Sequence, residues 1–500
     1  MRLRGADVLA RTLAAAGTRH VFALSGNHVM PVFDAALEAK LSLVHVRHEA
    51  AAVHMADAWG RLTGEPGIAL VTGGPGHANA VSALYTALCS DSPLVLISGH
   101  APLAELGKGA FQEMRQAEIA APLAKASWTA QSAETLGADV ARALRVARSG
   151  RPGPVHLSVP NDLLDAEAAA GIPKPDAFLP EDGAIGEPQA AALLGELAAA
   201  KRPLILTGRC GVPGLEEATG IPVIAMESPR GVNDPSLGRL ARILGGADAV
   251  LLVGKRSDFS LKFGRAFAPE CVVLHAEHTA GWLEAARGVK PSKSGWAEEV
   301  AAALRYRPPE WATLRSSTGG PLHPIDVCRA VQPLLDAPDA ILVCDGGEFG
   351  QWAQACLRAP RRIINGPAGS IGSALPFAAA AKLACPGAPV VALLGDGTFG
   401  FHMSEIDTAV RRGLAYVAVI GNDACWNAEY QIQLRSYGKE RAHGLDLLPT
   451  RYGAVVAAMG AHGEDVERPG QLAAALERAR GADQVACVNV LIERAAAPTY

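Results

Sequence analysis

Short apolar runs alternate with segments of helical periodicity along the whole chain. In the first third, four runs rich in Val, Ile and Leu predict strands, and two segments between them predict helices. The predicted strands are Leu41–Val46, Ile68–Thr72, Leu94–Ser98 and Val155–Val159, and the predicted helices are Glu49–Arg61 and Asn79–Leu88. Strands that are apolar throughout and alternate with helices indicate a parallel sheet covered on both faces.

The same alternation of strands and helices is repeated twice. Each repeat follows a proline-bearing stretch that we interpret as a linker, at Asp165–Pro188 and Tyr306–Pro324. The later predicted strands are Pro203–Gly208, Pro222–Met226, Ala249–Gly254, Cys271–Ala276, Ala340–Cys344, Pro389–Leu394, Ala415–Ile420 and Val485–Ile492. We therefore predict an α/β protein with three doubly wound parallel-sheet domains, at residues 1–165, 188–305 and 324–500. The central domain is trimmed, because Gly211–Gly220 leaves little room for a crossover helix.

Composition narrows the class of protein. The chain has 500 residues and a formal net charge of −4, which favours neither nucleic acid nor an anionic membrane as a partner. No uninterrupted apolar run reaches the roughly 18 residues of a membrane-spanning helix. The amphipathic N-terminus lacks a signal-peptide pattern. Nine cysteines without a C-x-x-C pair suit a reducing compartment, so we expect a cytoplasmic protein.

The strongest chemical signal follows two neighbouring predicted strands. Gly395-Asp396-Gly397 ends one strand, and Asn422-Asp423 ends the next. The 24 residues between Gly397 and Asn422 are enough for one helix and one returning strand, which brings both groups to the carboxyl edge of the sheet. A lone G-D-G triplet is more often an acid that caps a helix, but the pair at this spacing indicates a ligand site.

Mg²⁺ suits these residues, because it prefers oxygen ligands in an octahedron. Asp396 offers a carboxylate, Asn422 an amide oxygen, and the carbonyl of Ala424 can point the same way. Diphosphate oxygens and a water would complete the six ligands. Gly395 and Gly397 let the backbone approach phosphate, and we expect Thr398 to begin a helix whose N-terminus favours anions.

This pair of motifs resembles the thiamine-diphosphate signature of the acetolactate synthase and pyruvate decarboxylase superfamily, and the resemblance covers almost the whole chain. It implies that the first domain binds the pyrimidine ring of the cofactor and the third binds the diphosphate. Glu49, directly after a predicted strand, stands where the family has the glutamate that shares a proton with the pyrimidine nitrogen. The alternative is an ordinary acid in the first turn of a helix.

The resemblance extends to the loops around the cofactor. Ile371, in Gly369-Ser370-Ile371-Gly372, would wedge under the bent cofactor, and the carbonyl of Gly369 would accept a bond from its amine. Gly74 and Gly347 lie in glycine loops similar to those that face the cofactor and its diphosphate. Further candidates near the reacting centre are His28 and Gln112 for catalysis, and His77, Phe111 and Trp426 for the substrate.

Two departures limit which branch of the superfamily the chain resembles. Residues 422–437 do not match the tryptophan-bearing segment of biosynthetic acetolactate synthase. The runs 421–426 and 254–259 look closer to 2-hydroxyacyl-CoA lyase and oxalyl-CoA decarboxylase, but eight residues after Ile492 are too few for their CoA-binding lid. The trimmed central domain argues against bound FAD without excluding it.

The resemblance implies a thiamine-diphosphate- and Mg²⁺-dependent carbon–carbon lyase or carboligase that acts on 2-oxo acids or 2-hydroxy carbonyl compounds through an enamine. The loop around His28 is similar to one in benzaldehyde lyase. A simple 2-oxo acid decarboxylase is the alternative, and a non-catalytic cofactor-binding paralogue is the alternative from another class. Because Glu49 and Asp396 must reach one cofactor across two chains, we expect at least a homodimer, and family habit favours a homotetramer.

Overall fold

The N-terminal sheet positions the first group of candidate site residues. The structure, a computed structural model, describes residues 3–169, 171–181, 183–289 and 295–498, so residues 170 and 182 of the expected linker lie outside it. The strands of this part are β1 (Leu3–Arg4), β2 (His20–Ala23), β3 (Ser42–His45), β4 (Gly67–Val71), β5 (Leu94–His100), β6 (Ala126–Thr129), β7 (Pro154–Pro160) and β8 (Glu167–Ala168). Six of them form a parallel sheet in the order β3-β2-β4-β5-β7-β6, while β1 and β8 pair antiparallel.

Helices cover both faces of this sheet. They are α1 (Gly5–Ala15), α2 (Met30–Glu38), α3 (Glu49–Thr63), α4 (Pro75–Cys89), α5 (Gln116–Ala120), α6 (Leu136–Arg148) and α7 (Asn161–Asp165). The strands β2 and β6 of this sheet, and the short pair β1 and β8, were not predicted from the sequence. The strand β6 is partly exposed and contains two hydroxyl residues, so it lacks the apolar run that marked the central strands.

The central sheet is smaller and also parallel, with the order β10-β9-β11-β12. Its strands are β9 (Pro203–Thr207), β10 (Val223–Ala225), β11 (Ala249–Val253) and β12 (Val272–Ala276), and its helices are α8 (Glu187–Ala199), α9 (Leu215–Thr219), α10 (Leu240–Gly246), α11 (Trp282–Ala286) and α12 (Trp296–Arg305). The expected trimming is visible as α9, a crossover of one short turn.

The C-terminal sheet repeats the N-terminal design, with six parallel strands in the order β14-β13-β15-β16-β18-β17. The strands are β13 (Ile341–Cys344), β14 (Arg361–Ile364), β15 (Val390–Gly395), β16 (Val417–Asn422), β17 (His462–Val466) and β18 (Ala486–Leu491). The helices are α13 (Pro324–Val331), α14 (Gly347–Cys356), α15 (Ala374–Ala384), α16 (Asp396–His402), α17 (Glu405–Arg411), α18 (Asn427–Tyr437), α19 (Tyr452–Ala458) and α20 (Pro469–Arg480). Three parallel sheets confirm the predicted fold class.

The two outer domains share one hydrophobic core. It runs from α3 to α15, which are both rich in alanine and therefore pack closely. A buried ion pair lies in this contact: Arg61 donates from Nε and Nη2 to both carboxylate oxygens of Asp57, at 2.7 and 2.6 Å. Its Nη1 donates to the carbonyl of Ile364, which belongs to the other domain. Among the described residues, no helix is both long and apolar enough to span a membrane.

We predict that Asp57→Ala lowers the free energy of unfolding by about 3–5 kcal/mol, because it leaves the Arg61 guanidinium buried without its counter-charge. Urea titration followed by circular dichroism measures this change. The control is Glu477→Ala, which removes an exposed pair with Arg480 and is expected to cost at most about 1 kcal/mol. Equal effects of the two substitutions would contradict the role that we assign to the buried pair.

Candidate active site

Thr72, directly after β4, is the centre of the N-terminal half of the site. Its Oγ1 lies 3.0 Å from Nδ1 of His28, which follows β2. Gly26 and Gly76 both pack on Thr72. A Cβ at Gly26 would lie 2.4 Å from the Thr72 side chain, and a Cβ at Gly76 would lie 2.7 Å from it. Only glycine fits at these two positions, so the loops after β2 and β4 close onto each other.

Glu49 is the first residue of α3 and stands at the same edge of the sheet. Its Oε2 accepts a hydrogen bond from Nδ2 of Asn79 on α4, at 3.1 Å. Its Oε1 would lie 3.3 Å from a Cβ at Gly76. The half-buried carboxylate is therefore held between α3 and α4 and remains partly accessible to a ligand.

The glycine loop after β4 meets the segment that carries Gln112. Gly74 and Gln112 both have positive φ, 57° in each case, and a Cβ on Gly74 would lie 2.6 Å from the carbonyl of Gln112. The side-chain amide of Gln116 holds this loop in place. It accepts from the N–H of Gly74 at 2.8 Å and donates to the carbonyl of Gly99 at 3.1 Å. Gln116 was not recognised from the sequence, and no local pattern marks it.

His28 and Phe111 lie next to each other on this surface. Their rings stack with centroids 6.4 Å apart, and Phe111 is 73% exposed. Burial lowers the pKa of His28, an effect that the carbonyl of Phe111 partly offsets. A neutral imidazole at this place can donate or accept a proton, as expected for the candidate His28.

His77 faces the interior instead. Its ring is fully buried, with Nδ1 2.9 Å from Oγ of Ser98 and its centroid 4.6 Å from that of His156. His156 reaches the same Ser98 hydroxyl through Nε2 at 3.2 Å. The expected contact between His77 and substrate is not favoured by this geometry, and His77 belongs to an internal network that supports the loop after β4.

Asp396 begins α16 at the carboxyl edge of the C-terminal sheet. Burial raises the pKa of its carboxyl to about 6, although the N–H groups of Gly397, Ala424 and Cys425 act in the opposite direction. Its buried Oδ2 has no hydrogen-bond partner among the described residues. Because α16 begins at Asp396, Thr398 does not start the helix as expected; it lies in the first turn and donates to the carbonyl of Gly395 at 3.0 Å.

Asn422 ends β16 beside Asp396. Its Nδ2 donates to the carbonyl of Thr450 at 2.9 Å and to Oδ1 of Asn489 at 3.1 Å. Asn489 is fixed in turn by Asp465, whose Oδ1 accepts at 2.8 Å. These bonds occupy the amide nitrogen of Asn422. Its Oδ1, which accepts from the N–H of Ala424 at 3.2 Å, keeps a lone pair for a cation.

The carbonyl of Ala424, which the sequence predicts as a cation ligand, accepts two hydrogen bonds in the structure. They come from the N–H of Leu447 at 2.8 Å and from Nη2 of Arg494 at 2.9 Å. Its role toward the cation stays a prediction.

The glycine loops of this domain are held together by Asp345, at the end of β13. Its carboxylate accepts from the N–H groups of Gly346, Gly372 and Ala374 at 2.8 to 3.1 Å. Burial nevertheless raises its pKa to about 6. The loop before α15 is thereby fixed against the loop before α14.

This arrangement positions Ile371, the residue expected to support the bend of the cofactor. A Cβ on Gly346 would lie 2.8 Å from Cγ2 of Ile371, so this glycine makes room for the isoleucine. Gly369 and Gly347 both have positive φ, 68° and 82°. Gly347 begins α14, a helix of 10 residues, so free N–H groups and the helix dipole face the cleft.

One cleft joins these C-terminal groups. It is lined by Gly346, Gly347, Glu348, Phe349, Ile371, Gly395, Asp396, Gly397, Thr398, Gly421, Asp423, Cys425, Trp426, Asn427, Ala428 and Glu429. Trp426 packs on Gly397, where a Cβ would lie 2.7 Å from its ring, and meets Phe401 edge to face at 6.3 Å. Trp426 thus forms a wall of the cleft, as well as packing against α16.

These residues fit the implied cofactor and cation. The unpartnered Oδ2 of Asp396 and the free lone pair of Asn422 are hard oxygen donors, and the start of α14 suits an anionic diphosphate. Among the described residues, no cluster of three His, Cys, Asp or Glu side chains forms a metal site by itself.

The chain brings the candidate residues together in two groups rather than one. Glu49, His28, Gly74, Phe111 and Gln112 gather at the N-terminal sheet. The cleft around Asp396 is lined within the described chain only by residues 346–429. The candidate residues thus lie at the carboxyl edges of two separate parallel sheets, the place where α/β proteins bind ligands.

The comparisons identify the family. Residues 3–119 match the family described as thiamine pyrophosphate enzyme, N-terminal TPP binding domain, and residues 345–490 match the corresponding C-terminal TPP binding domain. The chain is 36% identical to acetolactate synthase large subunit IlvG of Mycobacterium tuberculosis, with 97% of this chain and 95% of the relative covered. It is 30% identical to 2-hydroxyacyl-CoA lyase 2 of Homo sapiens, with 92% and 84% covered.

The chain therefore belongs to the thiamine pyrophosphate enzymes, and is a thiamine-diphosphate-dependent lyase or transferase of the acetolactate synthase and 2-hydroxyacyl-CoA lyase type. The predicted family and enzyme class are confirmed, and so is thiamine diphosphate among the predicted cofactors.

We predict that acid weakens the fold through the internal histidines. Burial lowers the pKa of His77 from 6.5 to about 4, so between these values the unfolded chain binds a proton that the folded ring does not. The free energy of unfolding should thus fall as the pH is lowered through this window. In His77→Gln the free energy of unfolding should depend less steeply on pH, by the uptake of on the order of one proton. Urea unfolding at a series of pH values measures it.

The matched control for this experiment is His443→Gln, because His443 is an exposed histidine of the C-terminal domain. It should keep the pH slope of the parent protein. An unchanged slope in His77→Gln would contradict the prediction.

Proposed function

We propose that the protein is a Mg²⁺-dependent carbon–carbon lyase or carboligase acting on 2-oxo acids or 2-hydroxy carbonyl compounds. The observation that carries this proposal is the presence of two polar sheet edges. Glu49 bonds to Asn79 in one domain, and Asp396 and Asn422 stand at the ends of the paired strands β15 and β16 in the other. When bound, thiamine diphosphate supplies a nucleophilic carbon and an electron sink next to a substrate carbonyl.

Glu49 would hold a proton at the pyrimidine nitrogen of the cofactor. Its Oε2 is oriented by Asn79, while its Oε1 faces the glycine loop at Gly76. A positioned carboxyl of this kind is a general acid–base group rather than a plain binding contact. Its presence supports an enzyme over the non-catalytic paralogue that the sequence left open.

His28 and Gln112 would handle the substrate oxygen. His28 is oriented by Thr72 and stacks on Phe111, so its ring has a fixed direction and a neutral form is favoured. Gln112 adjoins Gly74 in the left-handed backbone region. Phe111 would shield the reacting carbonyl from water, which favours attack on a second carbonyl over protonation.

Asp396 and Asn422 would hold Mg²⁺, the amides before α14 would bind diphosphate, and Ile371 would support the bend of the cofactor. Trp426 would form the wall of the cleft toward the substrate. These placements support an active unit of two chains, because within the described residues the lining of the Asp396 cleft does not include Glu49. We propose a homodimer as the minimum and a homotetramer as the working assembly.

A cytoplasmic location is part of the proposal. It is supported by nine cysteines that are all free, including the neighbouring Cys328 and Cys356.

The experiment that tests the reaction is a product screen by mass spectrometry. Purified protein with thiamine diphosphate and Mg²⁺ would meet pyruvate, glyoxylate, benzoylformate, benzoin-type hydroxy ketones and a 2-hydroxyacyl-CoA, each with and without an aldehyde. We expect a new hydroxy-carbonyl product or its cleavage. Only CO₂ and free aldehyde would support the simple decarboxylase instead.

We predict that Glu49→Gln slows exchange of the thiazolium proton of bound cofactor with D₂O by at least about 100-fold, the usual range for loss of a general acid–base group. Nuclear magnetic resonance of quenched samples follows the exchange. The control Glu65→Gln changes an exposed glutamate paired with Arg148 and should exchange as the parent does. Fast exchange in Glu49→Gln would exclude the catalytic role.

We also predict that Asp396→Ala abolishes the Mg²⁺-dependent part of cofactor binding, because it removes a buried carboxylate that we assign to the cation. Isothermal titration of thiamine diphosphate with and without Mg²⁺ measures it. The matched control is Asp407→Ala, a partly exposed acid on α17 that pairs with Arg411. An unchanged Mg²⁺ dependence in Asp396→Ala would overturn the metal assignment.

A further inference from the structure

The buried side chain of Gln116 is bonded to three separate parts of the N-terminal sheet, at the edge where His28 and Gln112 lie. Gln116 is the first residue of α5 and is 1% exposed. Its Oε1 accepts from the N–H of Gly74 at 2.8 Å. Its Nε2 donates to the carbonyl of Gly99 at 3.1 Å and to Oγ of Ser158 at 2.9 Å. One amide thus joins the loop after β4 to the ends of β5 and β7.

These partners fix the direction of the amide. The N–H of Gly74 can only donate and therefore faces Oε1, while the carbonyl of Gly99 can only accept and therefore faces Nε2. Ser158 accepts the second hydrogen of Nε2, so its own hydrogen is available to Nδ1 of His100, 3.2 Å away. The position therefore requires one acceptor and two donors, which glutamine supplies and a carboxylate of the same length does not.

The bond to Gly74 controls the position of Gln112. A Cβ on Gly74 would lie 2.6 Å from the carbonyl of Gln112 and 2.8 Å from its Cβ, so the two backbones are in direct contact. Gln112 has a φ of 57°, a conformation that few residues other than glycine adopt. Because this backbone is held against Gly74, a shift of Gly74 would change the direction of the Gln112 side chain.

The bond to Gly99 controls the loop that carries His28. A Cβ on Gly99 would lie 2.6 Å from Cβ of His28 and 2.9 Å from Cγ1 of Val29. Gly73 closes on the same place, since a Cβ there would lie 2.7 Å from the carbonyl of Gly99 and 3.1 Å from Oε1 of Gln116. Both candidates for the substrate oxygen, His28 and Gln112, thus pack on backbone that Gln116 holds.

We propose that Gln116 is a positioning residue of the reaction, which holds Gln112 and His28 in fixed directions toward the substrate oxygen. The proposal rests on the proposed function, because that function assigns the substrate oxygen to these two residues. Gln116 acts through the backbone of Gly74 and Gly99. A displacement of about 1 Å can lower the rate of a reaction about 100-fold, so such a residue can control turnover without contacting the substrate.

The test is the steady-state kinetics of Gln116→Leu, with the donor and acceptor that the product screen identifies and with rates expressed per bound thiamine diphosphate. We expect kcat to fall by about 10–100-fold and KM to stay close to the parent value, because the change affects the transition state and not substrate binding. The matched control is Gln131→Leu, which removes an exposed glutamine that donates to the carbonyl of Thr129 and should keep the parent kcat. A parent-like kcat in Gln116→Leu would overturn the proposal.

Gln116→Glu adds a readout that a merely structural role would not change. Its carboxylate keeps the acceptor for Gly74 but cannot donate to Gly99 or Ser158, whereas the protonated carboxyl can donate to one of them. The ratio of the variant's kcat to that of the parent should therefore rise as the pH is lowered. The same ratio for Gln131→Glu should not depend on pH. A ratio that is independent of pH in Gln116→Glu contradicts the proposal.

Amide hydrogen exchange, measured by mass spectrometry, separates failure of this proposal from failure of the proposed function. If no donor gives a product with the parent protein, the proposed function fails, and exchange alone decides on Gln116. Loss of its hydrogen bond in Gln116→Leu should speed exchange in the peptide that contains Gly74 by roughly 10-fold. Parent-like exchange in that peptide overturns the proposal. Gln116→Met takes the place of Gln116→Leu if the first variant does not fold.

Discussion

The burial of negative charge at the carboxyl edge of the C-terminal sheet is the constraint on which the site depends. Asp396 and Asp423 are both partly or wholly withdrawn from water, and their pKa values rise to about 6 and about 7. Backbone N–H groups compensate part of this cost, and Arg494 lies on the outer side of the loop. Because carboxylates without a paired cation are costly in a protein interior, this edge gains most from a bound divalent ion. Binding of Mg²⁺ and a diphosphate would therefore stabilise the fold and complete the site in one step.

In the N-terminal half of the site the constraint is the close approach of backbone segments, not the burial of charge. The backbone at Gly26 and at Gly76 packs against Thr72, and Gly74 packs against the carbonyl of Gln112. Each of these three positions therefore requires glycine. The shared core of α3 and α15 then fixes this half relative to the other domain of the same chain.

The sequence predicted most where local pattern and sheet geometry coincide. Strand β15 and strand β16 are apolar throughout, so their ends, and hence Asp396 and Asn422, could be located from periodicity and then assigned to one edge. Strand β17, with the sequence HGEDV, is mostly polar and was missed, because only its pairing with β18 makes it a strand. Gln116, Asn489 and Arg494 could not be predicted for a related reason. Their partners lie 42, 67 and 70 residues away in sequence, and no local pattern reports such contacts.

Ala424 shows where a family resemblance stops being sufficient. Resemblance transfers the position of a residue, but a backbone carbonyl has no side chain to record its direction. In this structure the carbonyl of Ala424 accepts from the N–H of Leu447 and from Arg494. These two hydrogen bonds are each worth about 0.5–1.5 kcal/mol net, or more for the charged donor. A cation bound at this carbonyl would compete with both donors, and only the three-dimensional contacts, not the sequence, report that competition.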